Sequence, residues 1–146
     1  IMEAELILGA KIKNFDDALS AAELIHKKWN CGCVLKGGHI EYIKGRKSDI
    51  AVFDNRKYLI SSPSIDVNGA ASHGTGCTFS AALAANLAKG LSPIDAILLA
   101  RRFVHFSLLE KVRLGRDITG MFPPENNFYL KRKNKKMKGI EICEFI

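Results

Sequence analysis

The chain has 146 residues, 47% hydrophobic and 25% charged, with a mean hydropathy of +0.01, the balance of one soluble globular domain rather than two. No apolar run reaches the roughly 18 residues of a transmembrane helix, and "IMEAELILG" carries two glutamates but no basic cluster, which argues against a signal peptide and points to the cytosol. The net charge of +7 is local: "KRKNKKMK" (131–138) supplies six positive charges and leaves +1 on the rest, so it reads as a solvated tail or linker, without the interleaved aromatics of a nucleic-acid surface.

In chain order, residues 16–29 ("DDALSAAELIHKKW") predict a helix with Ala18, Ala22, Ile25 and Trp29 on one face, acidic residues at its start and Lys27 and Lys28 at its end. "CGCVLKGGH" then gives a short buried strand around Val34–Leu35 that stops at Gly37–Gly38. Cys31 and Cys33 are spaced too closely for a zinc knuckle and no second pair follows, so the four cysteines read as free thiols. From Glu41 to Ile65, "EYIKG", "DIAVFD" and "KYLISS" are strand-like pieces separated by polar turns. "SHGTGCTFSAALAANLAKG" (72–90) starts a helix on a glycine turn and ends at Gly90. Ser92 and Pro93 supply the N-cap and first-turn proline of a second helix. Its apolar residues Ile94, Ile97, Leu98, Leu108, Leu109 and Val112 stay near one face for about five turns. "GRDITGMFPPENNF" is loop-like, and "GIEICEFI" is a candidate strand. Strands followed by helices across glycine turns indicate an α/β layered domain with ligands beyond the strand ends.

The glycine turn carries the chemistry. Gly74 and Gly76 leave the backbone bare, and the first amides of the helix that follows are an anion site strengthened by the helix dipole. A transferring phosphoryl group is one such anion, and Thr75 adds a hydroxyl. The Walker pattern G-x-x-x-x-G-K-[ST] is absent, which excludes a P-loop. Cys77 falls in the first helical turn, where a thiolate could accept a proton from a substrate hydroxyl; a small cysteine packed against a sheet is the equal alternative.

Taken whole, "HGTGCTFSAALAANLAKG" resembles the signature of the hydroxymethylpyrimidine and phosphomethylpyrimidine kinases, members of the ribokinase-like superfamily. "MEAELILG" and "VLKGGH" are similar to two further segments of that family in the same order. The resemblance covers residues 2–112 well and implies a ribokinase-like α/β fold, a mostly parallel sheet flanked by helices. It implies ATP and Mg²⁺ as cofactors and two successive phosphorylations of a pyrimidine in thiamine biosynthesis. Gly74, Thr75 and Gly76 would form the anion hole, Cys77 would take the place of the usual aspartate base, Lys36 would reach the ATP phosphates, and Glu3 would help hold magnesium through water. His73 would be a positioning residue, His39 a turn residue and His26 inert.

The same resemblance implies that residues 1–130 are the carboxyl-terminal part of the kinase domain, followed by a basic tail (131–146) with a possible terminal strand. Completion by a missing amino-terminal half, or by homo-oligomerisation, is then expected, with a small pyrimidine as substrate and neither membrane nor nucleic acid as partner. "VNGAAS" (67–72) is longer than usual for the approach to the anion hole. A pyridoxal or other small-alcohol kinase and a non-catalytic nucleotide-binding module are the alternatives. Cys77 and "KGGH" argue against the former.

Overall fold

The computed structural model describes residues 1–38, 41–65, 74–110, 112–113, 119–124 and 140–145. His39, His73, "VNGAAS" and the basic run 131–138 lie outside the described residues. The chain forms two compact units, Ile1–Ser64 with Gly139–Ile146, and Ile65–Lys138.

In the first unit, α1 (Met2–Leu8) ends at Gly9, whose φ of 66° places it in the left-handed region that closes a helix. The Glu5 carboxylate then accepts the Ile12 amide at 2.9 Å and the Lys11 ammonium at 3.0 Å, folding the following turn back onto α1. These bonds hold the Glu5 carboxyl below its ordinary value, the Ile12 amide being the larger cause and Lys11 the next. α2 (Phe15–Trp29) opens on Asn14, whose side chain accepts the Asp17 amide at 2.8 Å while the Asp17 carboxylate accepts the Lys13 amide at 2.9 Å. Its buried residues are Ala18, Ala21 and Ala22, small side chains that let helix and sheet approach closely. Ile25 packs at the margin of this core, but Trp29 departs from the expected face: it is 48% exposed, with the Lys28 ammonium 4.7 Å from its ring centre.

The sheet contains β1 (Cys33–Lys36), β2 (Arg46–Phe53), β3 (Arg56–Pro63) and β6 (Glu141–Phe145), in that spatial order. The α/β class holds, but the mostly parallel sheet expected is not what the described strands build: each of their pairings is antiparallel. The hairpin between β2 and β3 shows why. Asp54 and Asn55 both take positive φ (50° and 58°), the two-residue turn whose twist suits a hairpin, and two residues can only reverse the chain. "EYIKG" also differs, forming the turn that leads into β2 rather than a strand. β2 is buried on both faces from Ser48 to Val52. One face, with Cys33, Leu35, Ile50 and Val52, joins Ala4, Ile12 and the α2 alanines in the core. The terminal strand forms as β6 and pairs with β3 from Lys57↔Phe145 to Ser61↔Glu141.

The second unit is led by α3 (Thr75–Ala88) and α4 (Pro93–Leu109). Gly90 has φ 76°, and Ser92 caps α4 by accepting the Asp95 amide at 3.2 Å, as the sequence predicts. α4 buries Ala96, Ile97, Leu99, Ala100, Arg101, Val104 and Ser107; of the expected stripe Ile97 is inside, Ile94, Leu98 and Leu108 are half-buried, Leu109 is exposed, and Val112 belongs to the short β4 (Val112–Arg113) that pairs with β5 (Thr119–Gly120). Small residues four apart, such as Ala96 and Ala100, bring the axes of packed helices together.

Two stability predictions follow from the helix starts. Asn14→Ala lowers unfolding free energy by about 1 kcal/mol in denaturant titrations, because the Asp17 amide loses its acceptor. Glu5 is held below its ordinary value in the folded chain, so its contribution is present above the unfolded carboxyl range and is lost as pH falls through the folded value. The stability gap between wild type and Glu5→Gln is therefore widest near neutral pH and closes in acid, below about pH 4.

Candidate functional site

The residues singled out by sequence fall on both units. In the first, Lys36 is the last residue of β1 and Glu3 lies in the first turn of α1. The Ile1 amino group donates to the Lys36 carbonyl at 3.5 Å and lies 3.7 Å from the Glu3 carboxylate, so the start of α1 sits at the carboxyl end of β1. The Glu3 side chain is 86% exposed. Among the described residues, no group of three or more His, Cys, Asp or Glu could hold a metal ion. A magnesium ion bound through one carboxylate, water and nucleotide phosphates needs no such group, and the open Glu3 carboxylate fits that mode.

The Lys36 ammonium lies 3.6 Å from the carboxylate of Asp49, a residue that sequence reasoning passed over. Gly37 follows in a tight corner. Its amide is shared between the Ser48 carbonyl at 3.1 Å and the Asp49 carboxylate at 3.2 Å, and Lys47 donates to the Gly38 carbonyl at 2.9 Å. A methyl group at Gly37 would lie 2.4 Å from the Ser48 carbonyl oxygen and 2.8 Å from the Tyr42 ring. Burial, and after it the Asp49 charge, pushes the Tyr42 phenol above its ordinary value. Asp49 occurs in "KSDIAVF", which looks like the polar beginning of a strand. Its burial depends on β3 lying on its other side, which no local pattern announces.

In the second unit, Gly74 takes φ 82° and brings the chain into α3 with no side-chain cap. Thr75, Gly76 and Cys77 form the first turn. Among the described residues, a side chain at Gly76 would meet no atom within 4 Å, and at Gly74 only the Met121 methyl at 3.8 Å. Cys77 is exposed, which removes the buried-packing alternative. Met121, set beside Gly74 by the segment whose Phe122 amide donates to the Ser107 carbonyl at 3.1 Å, carried no signal in the sequence. The other described thiols are free as expected, and burial, with a smaller effect of Cys31, pushes Cys33 up to about 11, so it stays neutral. The His26 Nδ1–H donates to the Cys31 carbonyl (2.6 Å), a contact local to the end of α2.

A strand-end lysine in the first unit and a glycine-led helix start in the second lie on an α/β scaffold of the ribokinase-like class. The pyridoxal kinase of Staphylococcus aureus in complex with AMP-PCP shares this fold with a TM-score of 0.77, at 24% identity, over 98% of this chain and 50% of that one. The chain belongs to the phosphomethylpyrimidine kinase family, whose model matches residues 1–122. The hydroxymethylpyrimidine/phosphomethylpyrimidine kinase of Bacillus subtilis is 35% identical over 135 residues, 92% of this chain and 47% of that protein. The thiamine biosynthesis bifunctional protein ThiED of Geobacter sulfurreducens is 35% identical over 118 residues, 80% of this chain and 23% of that protein. The chain thus spans about half the length of the first of these relatives and less of the second.

The corner after β1 gives a direct test of its packing. Gly37→Ala overlaps the Ser48 carbonyl and the Tyr42 ring, and is expected to cost roughly 1–3 kcal/mol, read as a lowered midpoint in thermal or denaturant unfolding.

Proposed function

We propose that the protein of which this chain is a part phosphorylates hydroxymethylpyrimidine and then its monophosphate in the cytoplasm, using ATP with Mg²⁺, as a step of thiamine synthesis. The observation that carries this reading is the start of α3: a left-handed Gly74, an open Gly76, and the exposed thiol of Cys77 in the same helical turn. The family membership supports it.

ATP with magnesium supplies the phosphoryl group and the counter-charge when bound. The chain's own groups then have separable tasks. The amides at Gly74, Thr75 and Gly76 offer donors to charge spread over phosphoryl oxygens, and the Thr75 hydroxyl adds another. Lys36 contributes a point charge to the phosphates, and Glu3 holds the metal through water. Cys77 accepts the proton of the hydroxymethyl group as its oxygen attacks. In the second phosphorylation the acceptor is already a phosphate monoester and needs no base, which explains how a thiol serves where an aspartate is usual.

The contacts to the pyrimidine come from sequence beyond these residues, supplied by an amino-terminal half or by assembly with another copy. A pyridoxal kinase is the second reading, favoured only by the shared fold. The cysteine after G-T-G favours the pyrimidine.

The test is ATP consumption by the purified 146-residue chain with hydroxymethylpyrimidine and Mg²⁺, beside Cys77→Ala. Where copies of the chain build a complete site, turnover is expected to fall by about 10²-fold or more in the variant, as for a lost general base; no turnover by the folded wild type means that the pyrimidine contacts lie outside the chain. Turnover on pyridoxal but not on the pyrimidine would replace this reading with the second. Turnover on the pyrimidine that is unchanged in Cys77→Ala would remove Cys77 from the chemistry.

A further inference from the structure

Asp49 is the only fully buried acidic side chain among the described residues, 2% exposed where β2 passes from polar to apolar residues. A carboxylate at such a position is costly unless it is paired and hydrogen-bonded, and stability alone is served as well by an apolar residue of similar size. Along β2 it lies between Ser48 and Ile50, and Ile60 lies opposite it on β3, all fully buried.

The register explains which partner it has. Gly37 donates to Ser48 and faces it across the β1–β2 pair, so the preceding couple, Lys36↔Asp49, is a pair without main-chain bonds between its members. Side chains stand closest at such pairs and leave on the same face of the sheet. The result is the 3.6 Å contact between the Lys36 ammonium and one Asp49 oxygen, while the other oxygen accepts the Gly37 amide. One buried carboxylate therefore fixes both the direction of the lysine and the corner that follows it.

We propose that Asp49 is a positioning residue: it holds the Lys36 side chain and the Gly37 corner in the arrangement that receives nucleotide phosphates. The proposal rests on the reading of Lys36 as a phosphate contact. Lysine has a long, rotamer-rich stem, and a phosphate that binds it must order that stem unless something has already done so. Lys36 is about one-third exposed, so its ammonium can reach a ligand without leaving Asp49.

Asp49→Asn separates the two contacts, since the amide oxygen still accepts from Gly37 but the charge facing Lys36 is gone. Binding of Mg-ATP to the full 146-residue chain is measured for wild type, Asp49→Asn, Lys36→Ala and the double variant. The expected result is an affinity roughly three- to tenfold weaker in Asp49→Asn, with no further loss when the change is added to Lys36→Ala. Independent, additive losses would overturn the proposal, because Asp49 would then act without Lys36.

A second readout needs no nucleotide. In nitrogen-15 spectra of lysine ammonium groups, the Lys36 signal (identified by its loss in Lys36→Ala) is expected to be more ordered than those of the exposed Lys13 and Lys27, and to lose that order in Asp49→Asn. Equal order in wild type would overturn the tether even if Asp49→Asn does not fold. If wild type binds no ATP yet Lys36 is ordered through Asp49, the phosphate reading fails and takes the positioning role with it, while the tether stands as structure.

Discussion

Everything in the first unit is referred to β2. It is buried on both faces between Ser48 and Val52, it pairs with a strand on each side, and its backbone and side chains hold the corner after β1. A register slip of one residue would turn Asp49 to the helix-covered face and Ile50 away from it. It would place a charge among Ala18, Ala22 and Leu35 and remove it from Lys36. Register is thus enforced by the core on one face and by an ion pair on the other. The apolar face supplies the driving force, and the charged pair adds to the cost of the wrong alignment.

The second unit solves a different problem, that of opening a helix without covering its amides. Most helices close their first turn with a side chain, as Asn14 and Ser92 do here. α3 starts on Gly74, which has no side chain to offer, and continues through Gly76, which leaves space above the backbone. An uncapped helix start gives up some stability, and the same omission keeps the donors available to an anion. Of the four described helix starts, those of α2 and α4 are closed by a side chain and those of α1 and α3 are not, and only α3 starts on a glycine.

Much of this was legible locally. Gly90, Ser92 and Pro93 bracket the α3–α4 connection through effects confined to one turn of chain, and the stop of β1 at Gly37 is equally local. The glycine-led start of α3 could be read because it is built from consecutive residues. Strand direction could not: alternation of apolar residues is the same in parallel and antiparallel pairs, and the decisive feature is that Asp54 and Asn55 both adopt positive φ. Asp49 was missed because its meaning depends on a cross-strand partner thirteen positions earlier and on Ile60 opposite it. The stripe expected on α4 is only partly inside, Ile97 buried and Leu109 exposed, because helix periodicity identifies a stripe without saying which of its residues meet a neighbour. Trp29 was placed inside by the same periodicity, at a final turn where the core no longer covers the helix.

The pairing of β3 with β6 has a consequence for how the chain is made. Leu59 meets Cys143 across the whole of the second unit's sequence, so one compact body is interrupted by another. Closing so long a loop adds entropy cost only logarithmically, but the contact cannot form before its last strand exists. During synthesis the outer edge of β3 waits unpaired while the 77 residues between Pro63 and Glu141 are still being assembled or threaded through the ribosome. A nascent chain in that state has its most exposed interval late, and the helical unit is free to fold during it.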